Sequence, residues 1–109
     1  MIDRAVVVVK PGLEFLDWIN EVEEKQDLPD ATTFTLAQVQ NDAHTYLVPE
    51  QDEVSDIQQW LDKNGTKIFE NELKAWCQDE SLWPKQRESS RFKHWCEIEV
   101  YTMVFDFED

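Results

Sequence analysis

The chain has 109 residues, 24 of them Asp or Glu and 10 of them Lys or Arg, which gives a formal net charge of −14. This balance argues against direct nucleic-acid binding, because contacts to phosphates require several basic side chains. Its five tryptophans and 41 % apolar residues argue against a disordered acidic tail. The length predicts a single domain over residues 1–109 with one hydrophobic core.

The N-terminal segment predicts a strand. Residues 5–9 are a run of five apolar residues, shorter than the apolar region of a secretory signal or a membrane span of about 20 residues. Because no polar residue interrupts the run, we expect a central strand covered on both faces. With only Cys77 and Cys96 as cysteines, we expect a reduced cytoplasmic protein without membrane attachment.

After Pro11 and Gly12, the sequence predicts a helix with an apolar face and an acidic face. The apolar face consists of Phe15, Trp18, Ile19 and Val22. The acidic face consists of Glu14, Asp17, Glu21 and Glu24. Neighbouring carboxylates on one helix face lie about 5–6 Å apart, loosely like backbone phosphates. The acidic face therefore predicts a surface for a positively charged partner, and the simpler alternative is a solvated face that keeps the protein soluble.

Two short elements are predicted next. Residues 35–38 have the pattern of a capping box, which indicates a short helix. The alternative for residues 34–40 is an edge strand. A second strand is predicted from His44 to Val48, and it ends at Pro49.

The longest predicted helix begins near Asp52 or Ser55 and ends near Gln78. Its first turns carry one apolar face, formed by Val54, Ile57 and Leu61. Continued along the helix, that face reaches Asn64, Gly65 and Glu72, whereas Phe69, Leu73 and Trp76 define a new face. The change of phase predicts a kink or a helix end at Asn64 and Gly65.

The C-terminal third begins with a polar connection over residues 79–91. Residues 85–93, which overlap it, are the one locally positive segment of the sequence. Trp83 in this connection is either an exposed interface anchor or a ring folded back onto the core. A short helical turn is predicted over residues 92–96. A strand is predicted from Ile98 to Phe107, and because it is apolar on both sides we expect it to be central.

The order of these elements predicts an α+β (or α/β) domain. We expect a small mixed sheet of about three to four strands with two to three helices packed on it.

No motif indicates a metal, a cofactor or a catalytic group. The Cys and His residues lack the paired spacing of zinc ligands; they are His44, Cys77, His94 and Cys96. Carboxylate pairs such as Glu70 and Glu72 are expected by chance in so acidic a chain, so they do not mark an acid–base site. We expect no metal site and no cofactor, and we expect both cysteines to be buried.

Three segments together resemble a family of small acidic bacterial proteins of unknown function. They are residues 69–73, residues 76–84 and residues 103–106. The resemblance implies a bacterial cytoplasmic protein. It implies no activity, ligand or functional residue.

These patterns predict a non-catalytic acidic binding protein whose partner is a protein with a basic surface. The predicted partner-binding residues are Glu14, Asp17, Glu21, Glu24 and Trp83. One alternative is a regulator or inhibitor that mimics nucleic acid and occupies a nucleic-acid-binding protein. The other is a small enzyme whose site is assembled from residues scattered in the sequence.

Overall fold

The computed structural model describes residues 4–25, 33–41, 43–49 and 52–104. These residues form three strands and four α-helices, one helix more than expected, and the predicted α+β fold class is confirmed. The strands are β1 (Arg4–Pro11), β2 (His44–Pro49) and β3 (Cys96–Tyr101). The helices are α1 (Leu13–Lys25), α2 (Leu36–Gln40), α3 (Val54–Trp76) and α4 (Ser89–Trp95). A 3₁₀ turn, Glu80–Leu82, lies between α3 and α4.

The three strands form a sheet in the order β2, β1, β3. β1 is central, as predicted, and Val7 lies opposite both Tyr46 of β2 and Val100 of β3. Both pairings are antiparallel, so the expectation of a mixed sheet is wrong for the described strands. The connection between β1 and β2 explains this direction. It consists of α1 and α2, and it brings the start of β2 beside the C-terminal end of β1, so β2 runs back along β1.

β3 lies at an edge of the described sheet, which differs from the predicted central position. Its hydrogen-bonded neighbour there is β1. The side chains of Glu97, Glu99 and Tyr101 are exposed on one face, while Ile98 and Val100 are half-buried on the other. Residues 105–107 of the predicted strand lie outside the described residues.

The helices cover one face of the sheet. Ala5, Val7 and Val9 point toward them and are fully buried. Val6 and Val8 point the other way and are half-buried, so the expected burial of β1 on both faces is wrong for the described part.

The core between sheet and helices is built around the ring of Phe69 in α3. Its centroid lies 6.2 Å from that of Phe15 in α1, 5.8 Å from that of Phe92 in α4 and 5.6 Å from that of Trp95. The pairs with Phe15 and Trp95 are edge-to-face, an arrangement that stabilises a core beyond the area it buries. Phe15 and Ile19, which belong to the predicted apolar face of α1, are buried.

α3 continues without a break through Asn64 and Gly65, so the helix end predicted there as one of two alternatives is wrong. Its buried residues form one continuous stripe: Ile57, Leu61, Gly65, Ile68, Phe69, Glu72 and Leu73. A Cβ atom on Gly65 would lie 2.8 Å from the Oγ of Ser89 and 3.1 Å from the Cδ2 of Phe92. Gly65 is therefore the contact at which α4 packs against α3. Gly65 and Glu72 belong to the buried face although neither has an apolar side chain.

The predicted helix over residues 35–38 is confirmed as the start of α2. The hydroxyl of Thr35 accepts a hydrogen bond of 3.3 Å from the backbone N–H of Gln38, and the Gln38 side chain accepts one of 2.8 Å in return. Asn20 of α1 holds both backbone polar groups of Phe34, just before this cap. Within the described segments, no helix has the combination of length and apolar content that crossing a membrane requires.

Candidate functional site

α1 presents three of the four predicted acidic residues to solvent, namely Glu14, Asp17 and Glu21. Together with Trp18 and Trp95 they line a shallow depression of about 250 Å³, which we call the acidic depression. Glu24 also belongs to α1, but its side chain lies outside the described residues.

The two tryptophans of the acidic depression are held firmly by their surroundings. The Nε1–H of Trp18 donates a hydrogen bond of 2.9 Å to the carbonyl oxygen of Leu82. The ring centroids of Trp18 and Trp95 lie 6.4 Å apart, and both rings contact Phe15 edge-on. Trp18 is buried and Trp95 is half-buried. The aromatic part of the depression is therefore formed before any ligand arrives.

The acidic depression is electrostatically one-sided. Three carboxylates line it, and no Lys or Arg is among the described residues of its lining. A histidine lies nearby, since the Nε2 of His94 is 3.1 Å from the Oε1 of Glu14. Clefts lined by charge of one sign concentrate the opposite sign, so this depression favours a cationic group.

Trp83, the fifth predicted partner-binding residue, belongs to the core. Only 8 % of its surface is exposed, and its Nε1–H donates a hydrogen bond of 2.8 Å to the carbonyl oxygen of Cys77. The guanidinium carbon of Arg87 lies 5.6 Å from the ring centroid. The interpretation of Trp83 as an exposed anchor is therefore wrong, and the alternative that it folds back onto the core is confirmed. The preceding 3₁₀ turn, closed by the bond from the Trp83 N–H to Glu80, places the ring there.

A second group of polar residues, which the sequence interpretation missed, surrounds Glu72. This side chain is 1 % exposed. Its Oε2 lies 2.6 Å from the Nδ1 of His44 and accepts a hydrogen bond from the hydroxyl of Tyr46. That hydroxyl in turn accepts a bond of 2.8 Å from the Nδ2 of Asn71. We call Glu72, His44, Tyr46 and Asn71 the Glu72 cluster.

The fold explains why these residues meet. His44 and Tyr46 are two positions apart in β2 and so point to the same face of the sheet, the one covered by α3.

Burial and the bond to Glu72 raise the pKa of Tyr46 above its ordinary value. Burial, with a smaller contribution from the charge of Glu72, likewise raises the pKa of the Cys96 thiol. Both groups are therefore protonated at neutral pH.

The Glu72 cluster borders two adjoining cavities that share Ala43, His44 and Ala75. One has a volume of about 390 Å³ and also contacts Trp76. The other has a volume of about 490 Å³ and is also lined by Tyr46, Asn71, Thr45 and Lys74. The His44 side chain is 41 % exposed, so one polar chain runs from the buried carboxylate to solvent.

The Glu72 cluster left one signal in the sequence. Glu72 falls on the continued apolar stripe of the long helix, where an acidic residue needs a buried partner. From the sequence alone, the presence of Glu72 on that face is instead interpreted as a change of phase in the helix, and its pairing with Glu70 as chance. Glu70 instead faces another part of the molecule and accepts a bond of 3.0 Å from Arg87.

The remaining Cys and His residues do not assemble into a further site. Cys77 and Cys96 are buried, as predicted. His94 pairs with Glu14, whereas His44 pairs with Glu72. Across the part of the chain that the structure describes, no three His, Cys, Asp or Glu residues are grouped so that they could hold a metal ion.

Comparison with protein-family models, with curated proteins and with solved structures finds no match for this chain. The resemblance to small acidic bacterial proteins therefore stays a prediction. The observations that bear on function are therefore the geometries of the acidic depression and of the Glu72 cluster.

Proposed function

We propose that the protein is a binding protein whose acidic depression receives an arginine side chain from a basic protein partner. The observation that supports this is the combination in one depression of three carboxylates, from Glu14, Asp17 and Glu21, with two tryptophan rings. The predicted acidic face alone fits any cation. The rings of Trp18 and Trp95 favour a cation that can also stack on an aromatic ring.

A guanidinium group suits both parts of this lining. Its planar fork of N–H donors pairs with a carboxylate through two parallel hydrogen bonds. Its flat face stacks on an aromatic ring, an interaction worth about 0.5–2 kcal/mol depending on desolvation. A lysine ammonium is more strongly hydrated and offers no flat face. We therefore expect arginine to bind in preference to lysine.

The wider charge of the chain supports the same proposal through the rate of association. A net charge of −14 attracts a basic partner over a distance of about 8 Å at physiological salt. This steering raises the association rate and weakens as the salt concentration rises. The cytoplasm is the compartment that we propose for this binding, as expected for a chain with only two cysteines.

The direct test uses three short peptides that differ in one residue: arginine, lysine or citrulline between glycines. Citrulline has the shape of arginine without its charge. In an NMR titration of the ¹⁵N-labelled protein, the arginine peptide is expected to shift the indole N–H of Trp95 and the amides of Asp17 and Glu21. The lysine peptide should shift them less and the citrulline peptide not at all. Equal shifts with all three peptides would contradict the proposal.

Charge-matched variants distinguish the effect of the depression on binding from the effect of net charge. Glu14→Gln, Asp17→Asn and Glu21→Gln together remove three charges from the depression. A control removes three charges elsewhere, at exposed positions outside α1: Glu53→Gln, Glu88→Gln and Glu97→Gln. The first variant should lose arginine binding, and the control should keep it.

Capture of partners from bacterial lysate extends the test to the natural ligand. The native protein and the control variant should capture the same basic protein at low salt, and the depression variant should not. Competition by duplex DNA tests the alternative, mimicry of nucleic acid. If DNA displaces the captured protein, the partner binds this protein through its nucleic-acid-binding site. If only the arginine peptide displaces it, the partner binds through a single arginine outside such a site.

A further inference from the structure

The Glu72 cluster places a buried carboxylate where packing alone does not require one. Removing a carboxylate from water is costly unless its partners compensate. Here both compensating groups, the His44 ring and the Tyr46 hydroxyl, come from β2 and adjoin cavities open to solvent. An apolar residue at position 72 would continue the buried stripe of α3 without that cost.

The hydrogen bonds fix the direction in which each group points. Asn71 donates to Tyr46, and Tyr46 donates to the Oε2 of Glu72. A carboxylate accepts hydrogen bonds, so His44 directs Nδ1–H toward Glu72. In neutral His44 the Nε2 then carries a lone pair. Among the described residues, Nε2 has no hydrogen-bond partner, and the His44 ring lines both cavities.

We propose that the Glu72 cluster is a hydrolytic site in which His44 is the general base and the substrate is a small carboxylic ester bearing an anionic group. Glu72, Tyr46 and Asn71 are positioning residues. They hold the His44 ring in one tautomer with Nε2 toward the cavity, as carboxylates orient catalytic histidines in other folds.

Lys74 supports the choice of an anionic substrate. It is exposed, lines the same cavity as His44 and makes no ion pair within the described part of the chain. Its ammonium group can bind a carboxylate on the substrate. The cavity is open to solvent and has a volume of about 490 Å³.

The reaction requires only water as a co-reactant. Nε2 of His44 accepts a proton from water while the water oxygen bonds to the ester carbonyl carbon, and the carbonyl π electrons move to oxygen. When the carbonyl re-forms, the bond from carbon to the alkoxy oxygen breaks. The proton on Nε2 passes to the departing alkoxide, so that an acid and an alcohol leave and His44 is neutral again.

The test uses two aryl esters, p-nitrophenyl hydrogen succinate, which is anionic, and p-nitrophenyl acetate, which is neutral. We expect saturable hydrolysis of the succinate ester. His44→Gln should lower kcat/KM by about 100-fold, the scale of general-base catalysis. The matched control is His94→Gln, which alters the other histidine of the chain and should leave the rate unchanged.

Two variants separate the roles of the neighbouring residues. Glu72→Gln should lower kcat and leave KM unchanged, because it affects orientation and not substrate binding. If Glu72→Gln does not fold, Tyr46→Phe serves the same purpose while keeping the ring. Lys74→Gln should raise KM for the succinate ester and leave that for the acetate ester unchanged.

A result independent of the chosen ester comes from the tautomer of His44. Long-range ¹H–¹⁵N NMR should show neutral His44 protonated on Nδ1, and Glu72→Gln should reduce that preference. An Nε2–H tautomer in the native protein would overturn the proposal. So would hydrolysis that does not saturate, or an equal loss of rate in His44→Gln and His94→Gln, since surface imidazoles would then be responsible.

Discussion

The backbone N–H of Gly12 donates a hydrogen bond of 2.7 Å to the carbonyl oxygen of Trp95. A Cβ atom on Gly12 would lie 2.8 Å from that same oxygen. The start of α1 and the end of α4 therefore approach each other more closely than a side chain allows. This contact sets Trp95 beside Glu14 and Asp17, and so forms one side of the acidic depression.

Gly12→Ala is expected to destabilise the protein by about 1–3 kcal/mol, because the clash is with backbone that cannot rotate away. It should also weaken arginine-peptide binding, since Trp95 must move. Urea denaturation measures the first effect and the NMR titration the second. The neighbouring variant Leu13→Ala, at an exposed position, should change the stability by less than about 0.5 kcal/mol. Equal stabilities of Gly12→Ala and the native protein would contradict the close approach.

Trp83→Ala should cost about 3–5 kcal/mol of stability, as expected for truncation of a large buried ring. Trp83→Phe retains most of the ring but leaves the carbonyl oxygen of Cys77 without its donor, which costs about 1–3 kcal/mol. Lys85→Ala, at an exposed position nearby, is the control. A folded Trp83→Ala protein with native stability would restore the interpretation of Trp83 as a surface anchor.

Gly65→Ala is expected to destabilise the protein, opposite to the usual effect of this change in a helix. In a helix interior, alanine is usually more stabilising than glycine by about 1 kcal/mol. Here the new methyl group meets Ser89 and Phe92, and overpacking costs about 1–3 kcal/mol. Combining it with Ser89→Gly, which removes one of the two contacts, should recover part of the loss in a double-mutant cycle. A gain in stability from Gly65→Ala alone would show that α4 moves freely against α3.

Stability should fall as the pH rises above the ordinary pKa values of the Cys96 thiol, 9.0, and the Tyr46 phenol, 10.0. Folding raises the pKa of both, so the folded state holds these protons more tightly than the unfolded state. Their contribution is complete below the unfolded pKa and is lost as the pH rises toward the folded pKa. Urea denaturation over a pH series measures this loss. The double variant Cys96→Ala, Tyr46→Phe should show a flatter dependence, and a constant stability of the native protein above pH 10.0 would contradict the assignment.

Most of the local structure could be predicted because it depends on nearby residues. The capping box at Thr35 and the apolar stripe of α1 are properties of single segments, and both are found in the structure. The continuity of α3 could not be read in the same way. Its buried face includes Gly65, which is buried because of α4, and Glu72, which is buried because of β2.

The acidic depression and the Glu72 cluster differ in how far the sequence predicts them, and the reason is the same. The carboxylates of α1 share one helix face, so their spacing alone predicts them. The depression needs Trp95, which is 78 residues beyond Asp17 in the chain. The Glu72 cluster joins two elements, and its partner distances depend on how α3 lies across the sheet. No spacing within one segment contains that information.

The exposed edge of the sheet has a consequence for the behaviour of the protein at high concentration. A strand at the edge of a sheet can pair with the edge of another molecule, and charged side chains oppose such pairing. In the described part, Glu97 and Glu99 project from the edge strand β3 on the face where Tyr101 is also exposed. As the pH falls toward the isoelectric point of about 4.3, the net negative charge of the chain decreases and the mutual repulsion of the molecules weakens. Acidification should therefore turn a dispersed protein into one that self-associates through its strands.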